Sequence, residues 1–284
     1  MSLLKKKNNG GPPLPWGNPG VYILAALTII AILAPVVYVI LGGFRTNAQI
    51  TANPAGLPGP WVIENYTEVF SSPIFWRQIF NSTVAALGTT IGVVILGMMA
   101  SFVIARYPFK GAQVMYSLFA AGLMFPMTVA ITPLYILIKS LGLTNNFLGV
   151  ILPGIAFALP TTVIILVPFL RTIPRELEEA ASIDGCDRLG FFWRIVLPLS
   201  APGVITTGIL AFIGSWNSYM LPLFVLTKEE FFTLPLGVQA FASQYSVDTA
   251  RVLAFTSLSM IPALIFFSLF ERRIVGGLTG AVKG

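Results

Sequence analysis

Residues Glu179 to Pro198 read EAASIDGCDRLGFFWRIVLP, a polar island set between long apolar runs. Just upstream, Pro174 suits a first helical position, where no N–H is needed. Glu176, Glu178 and Glu179 then place negative charge on the positive end of the helix dipole. A short helix is predicted from there. Ala180, Ala181 and Ser182 are small, so another protein's surface can come close to that helix, and Gly185 supplies the left-handed residue that ends it. Asp187 can cap a second short helix in which Leu189, Phe192, Ile195 and Val196 recur at helical spacing, until Pro198 stops it. The product is a bent pair of helices with a small-residue knuckle.

The rest of the chain says what carries this island. Of 284 residues, 56% are hydrophobic and only 10% charged, and the mean hydropathy is +0.84, far outside the range of a water-soluble domain. This is an all-α integral membrane protein. At about 20 apolar residues per crossing, the length accommodates six spans. Residues 1–20, with Lys5, Lys6 and Lys7 and a Pro/Gly-rich stretch, form a leader. The apolar run of 21–43 is too long for a signal-peptide core and reads as an uncleaved first span. Residues 44–80 are polar and Pro-rich, an outside loop containing a possible short helix over 62–70. A core of five helices follows over 81–270, with spans near 81–105, 112–138, 147–170, 203–226 and 252–270, the island lying in a loop over 171–199. Gly88 and Gly92, one turn apart in the second span, permit close helix contact. Prolines interrupt the third span at Pro126 and Pro133 and the fourth at Pro153, Pro160 and Pro168. Residues 271–284 form a tail.

Charge fixes the orientation. With both termini and the 171–199 loop in the cytoplasm, only Arg45, Arg77, Lys139, Lys228 and Arg251 of the seventeen basic residues lie outside, as the positive-inside rule requires. The basic balance therefore reports membrane orientation and calls for no nucleic-acid partner. The chain has no histidine, and its one cysteine, Cys186, cannot form an internal disulfide, so neither metal nor acid/base chemistry is expected. All eleven acidic residues fall in loops or at span ends. That weakens a secondary transporter, which keeps an ionisable group within the membrane. An enzyme acting on lipid-linked sugars would want paired carboxylates at one membrane face, and the cluster from Glu176 to Asp187 is already used by helix capping. No Gly-rich phosphate loop ending in Lys-Ser or Lys-Thr is present, so the chain binds no ATP, and energy for active transport must enter through a partner.

Glu179-Ala180-Ala181, then Gly185 after three residues and Ile195-Val196-Leu197-Pro198 after nine more, resembles the EAA loop of permease subunits in binding-protein-dependent ABC importers. From residue 65 onward the chain is similar to the maltose-type, carbohydrate-uptake group. Asn81-Ser82-Thr83, Ser215-Trp216-Asn217-Ser218-Tyr219 and the tail from Gly276 to Gly284 share in the likeness. The resemblance implies a type I ABC importer permease fold in a bacterial or archaeal cytoplasmic membrane. It implies three kinds of partner: a second permease subunit, a cytoplasmic ATPase dimer that carries ATP and Mg, and an extracytoplasmic solute-binding protein. It places Glu179, Ala180, Ala181, Asp184 and Gly185 in a cleft of the ATPase, with Ile195, Leu197 and Pro198 anchoring the loop to the fifth span. Gly277, Leu278, Thr279 and Gly280 would reach between the ATPase subunits. Where members of the group often carry an acidic residue, this chain has Ser218. Trp216, Asn217, Ser218 and Tyr219 combine hydroxyl, amide and aromatic groups at mid-membrane depth, as a path for a neutral polyhydroxylated solute wants, and such groups also serve as interhelical glue. Sequence leaves the cargo open among oligosaccharides, polyols and glycerol phosphodiesters.

Overall fold

A computed structural model describes residues 19–241 and 247–282, without the side chains of residues 240 and 269–282. The leader's residues 1–18 lie outside it. Helix α1 (Pro19–Gly42) is followed by α2 (Asn47–Ala52), α3 (Glu64–Ser71), α4 (Pro73–Arg106), α5 (Ala112–Gly122), α6 (Met127–Ser140) and α7 (Leu148–Arg171). The loop helices α8 (Glu176–Ile183), α9 (Arg188–Phe191) and α10 (Leu197–Leu199) come next, a π-helical turn (Phe192–Val196) joining the last two. The chain closes with α11 (Ala201–Trp216), α12 (Met220–Val225), two 3-10 segments (Glu229–Phe231 and Leu234–Phe241) and α13 (Thr249–Val282). Four of these helices are long and apolar enough to cross a membrane, and the number rises to six where each of two bent pairs, 112–122 with 127–140 and 188–199 with 201–216, counts as one span.

The centre of the molecule is α4 against α7, with α11 packed on both and α13 packed on α11. Close approach of α4 and α7 depends on glycine, as the sequence suggests. A Cβ on Gly88 would sit 2.7 Å from Ile151 Cδ1, and one on Gly92 would collide with Ile155. The first span is peripheral: α1 packs along α13, and Gly42 is its one buried residue.

Several helices run beyond or break within the spans read in the sequence. The second span's helix starts at Pro73, inside the predicted outside loop, because Pro73 takes the first helical position and the chain there already turns inward, burying Phe75 and Gln78. The third span breaks at Pro126, where α5 and α6 meet at 100°. Pro153, Pro160 and Pro168, in contrast, are carried within one continuous α7. The stretch 203–226 is two helices separated at residues 217–219. Pro222 has no N–H to bond the carbonyl of Ser218, and the two helices part there. The short helix predicted over 62–70 is present as α3.

Two polar fastenings shape the loop face opposite to the island. The Arg45 side chain, only 2% exposed, donates to the carbonyls of Gln49, Asn53 and Pro54 and gathers the turn after α1 around itself. In the third turn of α4, Asn81 Nδ2 donates to the carbonyls of Glu230 and Phe232, each at 2.9 Å. Ser82 Oγ accepts from Leu234 N–H at 2.7 Å. The segment between α12 and α13 is thereby bound to α4.

Candidate functional site

The island folds as a knob projecting beyond the ends of α4 and α7. Helix α8 carries Glu176, Glu178 and Glu179 in its first turn as expected, but it begins two residues after Pro174. Arg106 is the reason. Its guanidinium takes the carbonyls of Ile173 (2.6 Å) and Pro174 (3.4 Å), leaving Arg175 O to accept the first bonds from Glu178 and Glu179 N–H. The same guanidinium donates twice to Glu178 Oε2, at 3.0 and 3.2 Å. With a side chain only 3% exposed, Arg106 clamps the loop to the end of α4.

Helix α8 ends in a Schellman motif. Gly185 N–H bonds Ser182 O at 3.1 Å and Cys186 N–H bonds Ala181 O at 2.8 Å, with Gly185 at φ +75°. The reversal predicted from this glycine is present. So is the cap on the next helix: Asp187 Oδ1 accepts from Gly190 N–H at 2.8 Å. Pro198, however, does not stop the helix. The turn widens so that Leu197 N–H reaches Phe192 O, five residues back, which gives the proline ring room in place of a bond it cannot donate. The chain turns by 79° only after Leu199, before α11 begins.

Ala181, Phe191, Phe192 and Val196 are buried against Met98, Phe102, Leu166, Leu170 and Ile173, with Ile195 and Leu197 partly buried beside them. This packing sets which residues of the knuckle face outward. Ala181 points into the chain's own core at 6% exposure, whereas Glu179, Ala180, Asp184 and Gly185 face outward. Leu189, one of the apolar residues at helical spacing, is 66% exposed, and Ile183 is 86% exposed. The knob therefore presents a small apolar surface ringed by charge. Pro198 is exposed at the loop's base. Arg188 lies over the Tyr107 ring, 5.0 Å from its centroid. Burial, followed by the nearby charge of Glu178, raises the Tyr107 phenol above its ordinary value.

The sequence missed three parts of this arrangement: the Arg106–Glu178 clamp and the outward Ile183 and Leu189. A large apolar Ile183 inside a polar run was the available signal for the second. Arg106, closing a span, reads equally well as an orientation charge.

The four residues of the expected solute path do not share one surface. Trp216 is buried, stacked on Phe212 at 5.7 Å, and it borders with Asn217 a cavity of about 390 Å³ against α13. Ser218 lies on another face, in a cavity of about 260 Å³ with Thr89, Ser215, Phe157 and Leu221. Ser215 Oγ donates to Thr89 Oγ1 at 3.4 Å. Tyr219 is exposed, its hydroxyl accepting from Gln239 Nε2 at 3.5 Å. The tail residues Gly277, Leu278, Thr279 and Gly280 fall on the backbone of α13, with side chains outside the described residues. Among the described residues no cluster of metal-ligating side chains occurs.

Comparison with known proteins gives a consistent answer. The chain is 33% identical over 260 residues to the diacetylchitobiose uptake permease NgcG of Streptomyces coelicolor, covering 91% of this chain and 86% of that one. It is 34% identical to the trehalose transport permease SugB of Mycobacterium tuberculosis, covering 92% and 96%. In fold it is similar to a chain of a bacterial ABC transporter that imports the acidic polysaccharide alginate, with a TM-score of 0.76 at 20% identity over 89% of this chain and 95% of that one. Residues 93–275 match the family described as binding-protein-dependent transport system inner membrane component. The chain belongs to that family, the multi-pass permease subunits of ABC importers.

Proposed function

We propose that this chain is one of two permease subunits of an importer for an oligosaccharide or related glycoside, driven by a separate ATPase dimer that docks on the knob. The observation that carries this reading is the knob itself. It is small, capped where α8 ends and α9 begins, clamped by Arg106 and apolar at its tip, as a rigid insert into another protein's cleft must be. ATP and Mg would reside on the ATPase, and this chain would bind no cofactor. A solute-binding protein outside the membrane would deliver the cargo.

The choice of cargo is supported by the names of the relatives, among them the transport permeases for diacetylchitobiose, trehalose and arabinooligosaccharides. It is also supported by chemistry: the cavity of Thr89, Ser215 and Ser218 beside Phe157 offers hydroxyls and one aromatic face to a neutral hydroxylated ring. The positive-inside distribution supports a knob on the cytoplasmic side, and the relatives' organisms support a bacterial or archaeal membrane.

Ile183→Asp tests the docking. Since Ile183 is almost fully exposed, the variant should keep the melting temperature of the parent protein and lose both ATPase co-purification and solute uptake. Uptake that survives at parental rates ends the proposal for the knob. For cargo, the parent complex reconstituted with its binding protein should accumulate a labelled di- or oligosaccharide on ATP addition; accumulation of a non-glycosidic solute alone ends the carbohydrate assignment.

A further inference from the structure

A cleft of about 770 Å³ opens where α4 ends, α5 begins and α7 ends, lined by residues 104–113 together with Arg171 and Arg175. Four cations border it. Arg106 is already engaged by Glu178 and two carbonyls. Lys110, Arg171 and Arg175 form no ion pair with a carboxylate among the described residues; Arg171 instead rests over the Tyr116 ring at 5.9 Å. Three uncompensated positive charges around one concavity raise its potential and favour an anion. The opening of α5 adds to this, since its first turn has no side-chain cap.

Depth in the membrane decides which anion. Arg106 and Arg171 are the last residues of two apolar spans, so the cleft lies where acyl chains give way to headgroups. Leading away from it along α5, Val114 and Leu118 are 62% and 66% exposed, an apolar track that a free phosphate would leave unused.

We propose that this cleft binds the phosphate headgroup of an anionic phospholipid from the leaflet on the side of the knob, through Lys110, Arg171 and Arg175, with acyl chain along Val114 and Leu118. The assignment rests on the family's membrane placement and is independent of cargo and of ATPase docking.

Native mass spectrometry of the purified chain, offered dioleoyl phosphatidylglycerol or dioleoyl phosphatidylethanolamine, tests it. The parent should retain the anionic lipid preferentially. The combined Lys110→Gln, Arg171→Gln, Arg175→Gln variant should lose about tenfold or more of that affinity. A control lacking three exposed cations elsewhere, Lys139→Gln, Arg194→Gln, Lys228→Gln, should retain it. Equal retention of both lipids, or equal loss in the control, overturns the proposal. Displacement of the lipid by inorganic phosphate at the same concentration also overturns it, making the cleft a free-anion site. Should the triple variant fail to purify, a photoactivatable phosphatidylglycerol must crosslink the parent within residues 104–118 or 171–175, and labelling confined to other segments refutes the assignment.

Discussion

At Gly185 the φ of +75° is open to glycine, and no atom lies within 4 Å of where a Cβ would stand. Gly185→Ala should therefore cost about 1 kcal/mol through backbone strain alone, with no steric clash, and a small fall in melting temperature measures it. Its neighbour Ala181 is the opposite case. A larger side chain there must be forced into the core formed by Phe102, Leu170 and Phe192, so Ala181→Leu should destabilise by roughly 1–3 kcal/mol in thermal or denaturant unfolding. Uptake lost by that route would reflect an unseated knob. Tyr107 carries a pH signature. Its phenol is raised above the ordinary 10.0 by burial first and then by Glu178, so the folded state favours the protonated form. The associated stability is fully present below pH 10 and is lost as pH rises through the folded value. The absorbance difference between the parent and Tyr107→Phe should place this ionisation above pH 10. Gly185 and Asp187 were legible in sequence because a positive φ and a helix cap depend on neighbours within a few residues. The inward turn of Ala181 and the outward turn of Leu189 depend on where Phe102 and Leu170 stand, which local spacing does not encode.

The element most altered from its sequence reading is the segment from α9 to α11. Pro198 was expected as a stop, yet a π-helical turn carries the backbone past it, and the 79° bend falls one residue after Leu199. A proline removes one hydrogen bond, and whether the helix breaks or widens is settled by what holds its two sides. Here Val196, fully buried, holds it. The same principle explains α7, which keeps three prolines in one helix while packed along α4. Asn81-Ser82 was recognised only as part of a family likeness; its physical task is to bind the segment between α12 and α13. Asn81→Ala should orphan the carbonyls of Glu230 and Phe232 at a cost of about 2 kcal/mol. Faster amide hydrogen exchange over residues 228–237, with the knob unchanged, is the expected readout.

For the whole molecule, the membrane-spanning all-helical class and the family were readable from composition, apolar run lengths and one motif. Which helices touch was not, apart from the glycines that fit α4 against α7. Orientation has a direct check, because the lone cysteine, Cys186, sits partly exposed on the knob. A membrane-impermeant maleimide should label it in inside-out vesicles and leave it unlabelled in right-side-out ones; the reverse pattern inverts the topology argued from the basic residues.

Of the four helices long enough to cross a membrane alone, α4 is the one without a proline in its interior. Near one end Asn81 and Ser82 hold the loop of the opposite face, and at the other Arg106 holds the knob. These attachment points are 25 residues apart on a single helix, about 38 Å at 1.5 Å per residue. A stiff rod gripped at both ends behaves as a lever: a tilt of one end reappears at the other. Whatever coupling free energy this rod carries between the two faces is equal in magnitude in both directions.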